Sequence, residues 1–169
     1  ISPDGTRVVY RADPDLNGDL DLFSVPIAGA AATQLSETLA PEQDVQTFGI
    51  TPDGSAVLYS AELLAGAGLY RVPIGGGPST RISAPLGVGG SVSRFVISPD
   101  GGTVLYTANQ ASGGEQELFV VPLSGGLVRK LNGPLVAGGD VLFITGLTTQ
   151  SLRAVYLADQ DIDEVMEVY

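Results

Sequence analysis

Apolar residues in this chain come in short runs, each closed by Gly, Pro, Asp or Ser. Val8-Val9-Tyr10, Val57-Leu58-Tyr59 and Val104-Leu105-Tyr106 form one set. Leu22-Phe23-Ser24-Val25-Pro26-Ile27, Leu69-Tyr70-Arg71-Val72-Pro73-Ile74 and Leu118-Phe119-Val120-Val121-Pro122-Leu123 form a second. β-Branched and aromatic residues between turn formers predict strands, and no stretch carries the 3.6-residue apolar period of a helix over a useful length. The runs also recur. Ile1-Ser2-Pro3-Asp4-Gly5, Ile50-Thr51-Pro52-Asp53-Gly54 and Ile97-Ser98-Pro99-Asp100-Gly101 precede the first set at steps of 49 and 47 residues. Self-similarity at that period marks a repeat architecture.

Each repeat predicts four strands. The first spans Val45 to Ile50, Val92 to Ile97 and Val141 to Thr145. Ser-Pro-Asp-Gly then turns the chain: proline pre-sets φ, the aspartate bonds back to the backbone, and glycine takes the unrestricted position. The second strand holds Val-Leu-Tyr or its equivalent, with Ala154-Val155-Tyr156 in the fourth copy. The third ends on a proline, which cannot donate to a ladder and so suits a strand end. A glycine turn leads to a short edge strand over Thr33 to Leu35, Thr80 to Ile82 and Arg129 to Leu131.

Four antiparallel strands per repeat define the fold class: all-β, a β-propeller of four-stranded blades, with about three and a half blades present. A β-sandwich would not produce near-identical motifs at a fixed period. The blades divide residues 1–169, a single propeller segment, at about 1–43, 44–90, 91–139 and 140–169, the first and last incomplete. In the last repeat Leu147-Thr148-Thr149-Gln150 replaces Ser-Pro-Asp-Gly, so a turn of different shape is expected. Closed propellers have ~4–8 blades. The expectation is therefore that these residues belong to a longer propeller, or complete a ring with another subunit, because open blade faces and edges associate.

The charge balance is strongly acidic. Nineteen acidic residues stand against eight basic ones, a net charge of −11, which disfavours nucleic acid and anionic membrane surfaces as partners. No apolar run approaches the ~18 residues of a membrane span. Only Asp4, Asp53 and Asp100 belong to the turn motif; the other 16 acids fall in or beside the loops at the opposite end of the strands. Binding residues gather on such loops above a rigid scaffold, so this face is expected to receive a cation or a basic protein partner. Solvation alone would also account for it.

One loop is more specific. Asp13, Asp15, Asn17 and Asp21 place oxygens at positions 1, 3, 5 and 9 of a loop with Gly18 at position 6, and Asp19 can supply a carbonyl. Calcium takes ~6–8 hard oxygen ligands, and this spacing matches the start of a calcium loop. The loop also looks like those between strands of integrin-type propeller blades. Asp159, Asp161, Asp163 and Glu167 repeat the spacing more weakly, with Glu164 where glycine belongs. The competing reading is an acidic hairpin loop whose side chains bond to their own backbone.

Other chemistry is scarce. The chain has no histidine and no cysteine, which removes Ser-His-Asp and thiol catalysis, the usual zinc sites and disulfides. No G-x-S-x-G elbow or phosphate-binding glycine loop appears. Tyr10, Phe23, Tyr59, Tyr70, Tyr106, Phe119, Tyr156 and Tyr169 recur at matching repeat positions, as core residues would.

The Ser-Pro-Asp-Gly turn, the Val-Leu-Tyr strand and the Leu-Phe-x-Val-Pro strand together resemble the WD-like repeats of TolB-type propellers, over essentially the whole chain. The resemblance implies a non-catalytic interaction platform in the periplasm or outside the cell. Similar propellers gate prolyl-oligopeptidase-type hydrolases, whose catalytic domain would lie outside these residues; a calcium-dependent surface or carbohydrate-binding module is a third alternative.

Overall fold

A computed structural model describes residues 1–110, 114–147 and 153–169. The turn expected at 148–150 lies outside them. Every described element is a strand, turn or loop, and among the described residues no helix is long and apolar enough to cross a membrane.

The chain forms two compact units, Ile1–Arg81 and Ile82–Tyr169. The first holds a sheet of β1 (Arg7–Ala12), β2 (Asp21–Pro26) and β3 (Thr33–Gln34), and a four-stranded sheet of β4 (Thr47–Ile50), β5 (Ala56–Leu63), β6 (Gly66–Pro73) and β7 (Thr80–Arg81). The second holds the four-stranded sheet of β8 (Val92–Ile97), β9 (Thr103–Ala108), β10 (Glu117–Pro122) and β11 (Arg129–Lys130). Its other sheet is β12 (Val141–Leu147), β13 (Ala154–Ala158) and β14 (Glu167–Val168). All neighbouring strands are antiparallel and follow chain order, as expected of blades.

The repeated turn is held by its first residue as much as by its aspartate. Gly5, Gly54 and Gly101 donate to the carbonyls of Ser2, Thr51 and Ser98, and adopt φ of 71°, 72° and 71°. The hydroxyls of Ser2, Thr51 and Ser98 are buried, and each both accepts a strand N–H and donates to the turn aspartate. Burying a hydroxyl without partners costs free energy, so the position needs Ser or Thr.

Beyond the turn, the recurring aromatics pair across the second and third strands. Tyr10–Phe23, Tyr59–Tyr70, Tyr106–Phe119 and Tyr156–Tyr169 stack with centroids 5.8, 5.5, 5.4 and 5.4 Å apart. Each pair contributes about 0.5–1.5 kcal/mol beyond its burial. Burial pushes the Tyr59 hydroxyl up to about 12, against hydrogen bonds from its surroundings.

Within each unit the two sheets pack through apolar faces. Val9, Leu22 and Leu35 of the first sheet meet Val45, Val57, Tyr59 and Ala61 of the second. Leu105 and Leu118 meet Val141, Tyr156 and Ala158 in the same way. The strand expected from Val45 begins instead at Thr47, and Val45 sends its N–H to the Leu20 carbonyl of the neighbouring sheet at 3.0 Å. The edge strands are two residues each, shorter than expected, and Arg81, Arg129 and Lys130 place charge on them, which blunts an open edge.

Candidate functional site: the loop end of the blades

Strand direction separates the two ends of each sheet. The Ser-Pro-Asp-Gly turns close one end; at the other stand the connections after β1, β5, β9 and β13 and those that lead into β4, β8 and β12. The turn aspartates are saturated where they sit. Asp53 accepts from the Thr51 hydroxyl at 2.6 Å, the Ser55 N–H at 3.0 Å and the Ser55 hydroxyl at 2.8 Å, which holds its carboxyl down at about 2. Asp4 and Asp100 are lowered likewise, first by the hydroxyls of Ser2 and Ser98.

The other 16 acids stand at the loop end of their units. In the first unit, Asp13 accepts the N–H groups of Asn17 and Gly18 at 3.1 and 3.0 Å, and Asn17 accepts that of Asp19 at 2.8 Å. Asp15 is exposed and Asp19 half-buried. Asp21 is not in the loop: it opens β2, opposite Ala12, and accepts the Ser36 hydroxyl at 2.7 Å. Glu167 likewise opens β14, opposite Ala158, and accepts from Tyr169 at 2.6 Å. Both were expected among loop ligands; strand pairing extends further than the charged side chains suggested.

The second candidate loop repeats one contact of the first, a carboxylate accepting the N–H five residues on. Asp159 is buried and accepts the N–H groups of Asp140 and Glu164, which lowers its pKa, the Asp140 bond being the larger cause. Glu164 takes φ 62° where Gly18 takes 96°, so the left-handed position is kept without the glycine, although Leu16, at φ 58°, has no left-handed counterpart in the second loop. Asp161 and Asp163 are exposed. The donors in both loops are all oxygens, as calcium prefers. Among the described residues, however, no three acidic side chains gather in a group that could hold a metal ion.

A third period was legible and unread. Ser36, Ser83 and Asn132 are buried at steps of 47 and 49 residues, after the edge strands. Ser36 accepts the Leu22 N–H at 3.1 Å and Asn132 the Leu118 N–H at 2.8 Å. Asp44 and Asp140, just before the first strands, also act as clips: they accept the N–H groups of Leu20 and Gln116, each at 2.6 Å, from the sheet before.

Two further features shape this end in the first unit. Glu42 has φ 61°, at the repeat position where Gly89 and Gly138 have 76° and 88°. An open groove of about 510 Å³ is lined by Ser36, Glu37, Thr38, Leu63 and Leu64, with Leu64 exposed.

Sheets of this kind, repeated with one turn motif and one aromatic pair, define a protein of β-propeller blades. No family model and no curated protein matches the sequence. Solved structures do. TolB of Acinetobacter baumannii is similar at a TM-score of 0.59 and 18% identity, over 99% of this chain and 43% of that one. A puromycin-hydrolysing peptidase of Mycobacterium tuberculosis is similar at 0.63 and 15%, over 97% and 28%, and the tricorn protease at 0.64 and 15%, over 97% and 16%. The chain thus has the TolB-like propeller fold. It spans less than half the length of the TolB structures it matches, 46% and 43%. Identities this low carry the fold and not the activity.

Proposed function

We propose that this chain is a non-catalytic propeller scaffold that binds a protein partner of basic surface through the loop end of its blades. The sorting of the acids carries this reading. Three aspartates are consumed by their turns, and the other 16 of the 19 stand at the opposite ends of the sheets. At a net charge of −11 such an end attracts cationic surfaces within a Debye length of ~8–10 Å. Glu42 adds to it: a glutamate is kept in a left-handed conformation where two other repeats use glycine, and retained backbone strain points to use of the side chain. The groove beside Leu64 and Glu37 suits a lysine or arginine, its stem on the leucine and its head at the carboxylate. The setting we propose with this, by resemblance to TolB, is the cell envelope or the extracellular space.

The peptidase propellers among the similar structures favour a second reading, in which these blades serve a hydrolase whose catalytic domain lies outside this chain. A photocrosslinker placed at Leu64 and, separately, at Ile27 of the turn end separates ends and readings in the native host. The scaffold reading expects a salt-sensitive protein adduct at Leu64 and none at Ile27. Adducts from Ile27 alone overturn it. Covalent labelling of the protein, as its cells make it, by a fluorophosphonate serine probe supports the hydrolase instead.

A further inference from the structure

Two Asn-Gly pairs occur in the chain, Asn17-Gly18 and Asn132-Gly133, and the fold treats them in opposite ways. An asparagine amide before glycine is open to attack by the glycine nitrogen, because no side chain screens that nitrogen. At Asn132 the fold closes this route. The residue is 5% exposed, its Oδ1 accepts the Leu118 N–H at 2.8 Å, and its Nδ2 donates to the Gly133 carbonyl at 2.9 Å. At Asn17 the fold assembles the parts of the reaction. Asn17 and Gly18 are exposed, so water reaches both. The Asp13 carboxylate accepts the Gly18 N–H at 3.0 Å, which aims a base at the proton of the attacking nitrogen. Asn17 Oδ1 accepts the Asp19 N–H at 2.8 Å, which polarises the carbonyl under attack. Gly18 takes φ 96°, with open space where a Cβ would stand.

We propose that Asn17 is a site of self-catalysed deamidation, with the Gly18 nitrogen as nucleophile, Asp13 as base and the Asp19 N–H as oxyanion donor. The Gly18 nitrogen gives its proton to Asp13 and bonds to Asn17 Cγ, while the carbonyl electron pair moves onto Oδ1. Fixed backbone donors lower the barrier where negative charge develops on oxygen, and a positioned base contributes separately. The intermediate then collapses: Asp13 returns the proton to Nδ2, the Cγ–Nδ2 bond breaks and ammonia leaves. The product is a cyclic imide that joins Asn17 Cγ to the Asn17 main-chain carbonyl carbon through the Gly18 nitrogen. Water opens it. Hydrolysis at Cγ leaves aspartate, and hydrolysis at the main-chain carbonyl leaves isoaspartate. The net change is water in and ammonia out, with a carboxylate in place of an amide at the loop end. Isoaspartate also lengthens the loop backbone by a methylene, which separates Asp13 from the N–H groups it caps. The reaction needs no metal, and the inference stands apart from the partner reading.

The test compares folded and unfolded protein, purified as its cells make it, by peptide mapping with fragmentation that separates aspartate from isoaspartate. Both are incubated at neutral pH in chelator, one of them in guanidinium. Asn17 is expected to convert at least ~10-fold faster in the folded protein than in the unfolded one, a modest share of what a positioned base and donor supply. Asn132 is expected to convert only when unfolded. Asp13→Asn keeps an oxygen acceptor and loses the base, and is expected to bring folded Asn17 down to the unfolded rate. Asp15→Asn makes the same charge change at an exposed neighbour and is expected to leave the rate unchanged. A smaller ratio of folded to unfolded rates shows that the Asn-Gly sequence acts without the loop, and overturns the inference. So does an Asp13→Asn rate equal to the parent's, or equal slowing by Asp15→Asn. Far-ultraviolet circular dichroism matching the parent's keeps misfolding out of the comparison.

Discussion

The Thr51 hydroxyl donates to the Asp53 carboxylate at 2.6 Å while it accepts the Ala56 N–H at 3.0 Å, from a position with no solvent exposure. Thr51→Val preserves shape and removes both bonds, which leaves a buried N–H unpaired. The expected loss is about 1–3 kcal/mol of stability by urea denaturation. Thr51→Ser keeps the hydroxyl, as Ser2 and Ser98 do in the other turns, and is expected to cost far less. Equal losses for the two variants would show that the methyl group, not the hydroxyl, holds the turn.

The same turn sets the acid limb of stability. Asp53 titrates at about 2 in the folded chain, against 3.8 ordinarily, so the unfolded chain binds its proton first as pH falls. Its contribution is therefore present above about pH 4 and is lost on descent towards about pH 2. Asp4 and Asp100 act in the same direction. Asp53→Asn should melt lower than the parent at pH 7, with the gap closing below about pH 3. A gap that stays constant across that range would mean the aspartate charge plays no part.

These turns were legible because their chemistry is local: proline, aspartate and glycine act within five residues, and the pattern survives any tertiary context. The aromatic pairs were legible for a similar reason, since a strand pair brings equivalent positions opposite each other; Tyr59, Tyr70, Tyr106, Phe119 and Tyr156 are core residues as expected, while Tyr10, Phe23 and Tyr169 are half-buried. Asp44 and Asp140 were not, because their partners at Leu20 and Gln116 lie 24 residues away and become neighbours only when one sheet packs on another. The acids of the loop end were visible in number. Their division into clips, loop caps and exposed charges depends on which backbone N–H groups lack a strand partner. That is why Asp21 and Glu167, read as loop ligands, turn out to open strands.

The clip gives its own prediction. Asp44→Ala removes the acceptor of the Leu20 N–H at a half-buried junction between two sheets, and should cost about 1–2 kcal/mol. Asp44→Asn retains a side-chain oxygen and should recover most of that. Asp140→Ala is expected to do the same in the second unit, through the Gln116 N–H. The telling measurement is hydrogen exchange: the Leu20 and Gln116 amides should lose protection in their respective Ala variants while amides of β6 and β9 stay protected. Unchanged exchange at Leu20 would show that the bond is not formed in solution.

Calcium at loop 13–21 is the proposal that metal titration decides. Asp13 already draws in the N–H groups of Asn17 and Gly18, and Asp159 draws in that of Glu164, so both loops have the bend the ligand spacing requires. Asp15 and Asp19 remain to be gathered, and carboxylates brought that close repel one another unless a cation relieves them. Binding is thus expected to order the loop and to raise stability by mass action, about 2.7 kcal/mol at a hundredfold excess over Kd. Asp15→Ala should abolish the gain without lowering the melting temperature in chelator, since Asp15 is exposed and Asp13 holds the bend. The second loop offers the internal comparison. Asp161→Ala should affect the calcium gain less, because Asp159 is buried at the junction with Asp140 whereas Asp13 is only half-buried. A melting temperature identical in chelator and in excess calcium would leave Asp13 as a backbone cap, with the acidity of the loop serving the partner surface alone.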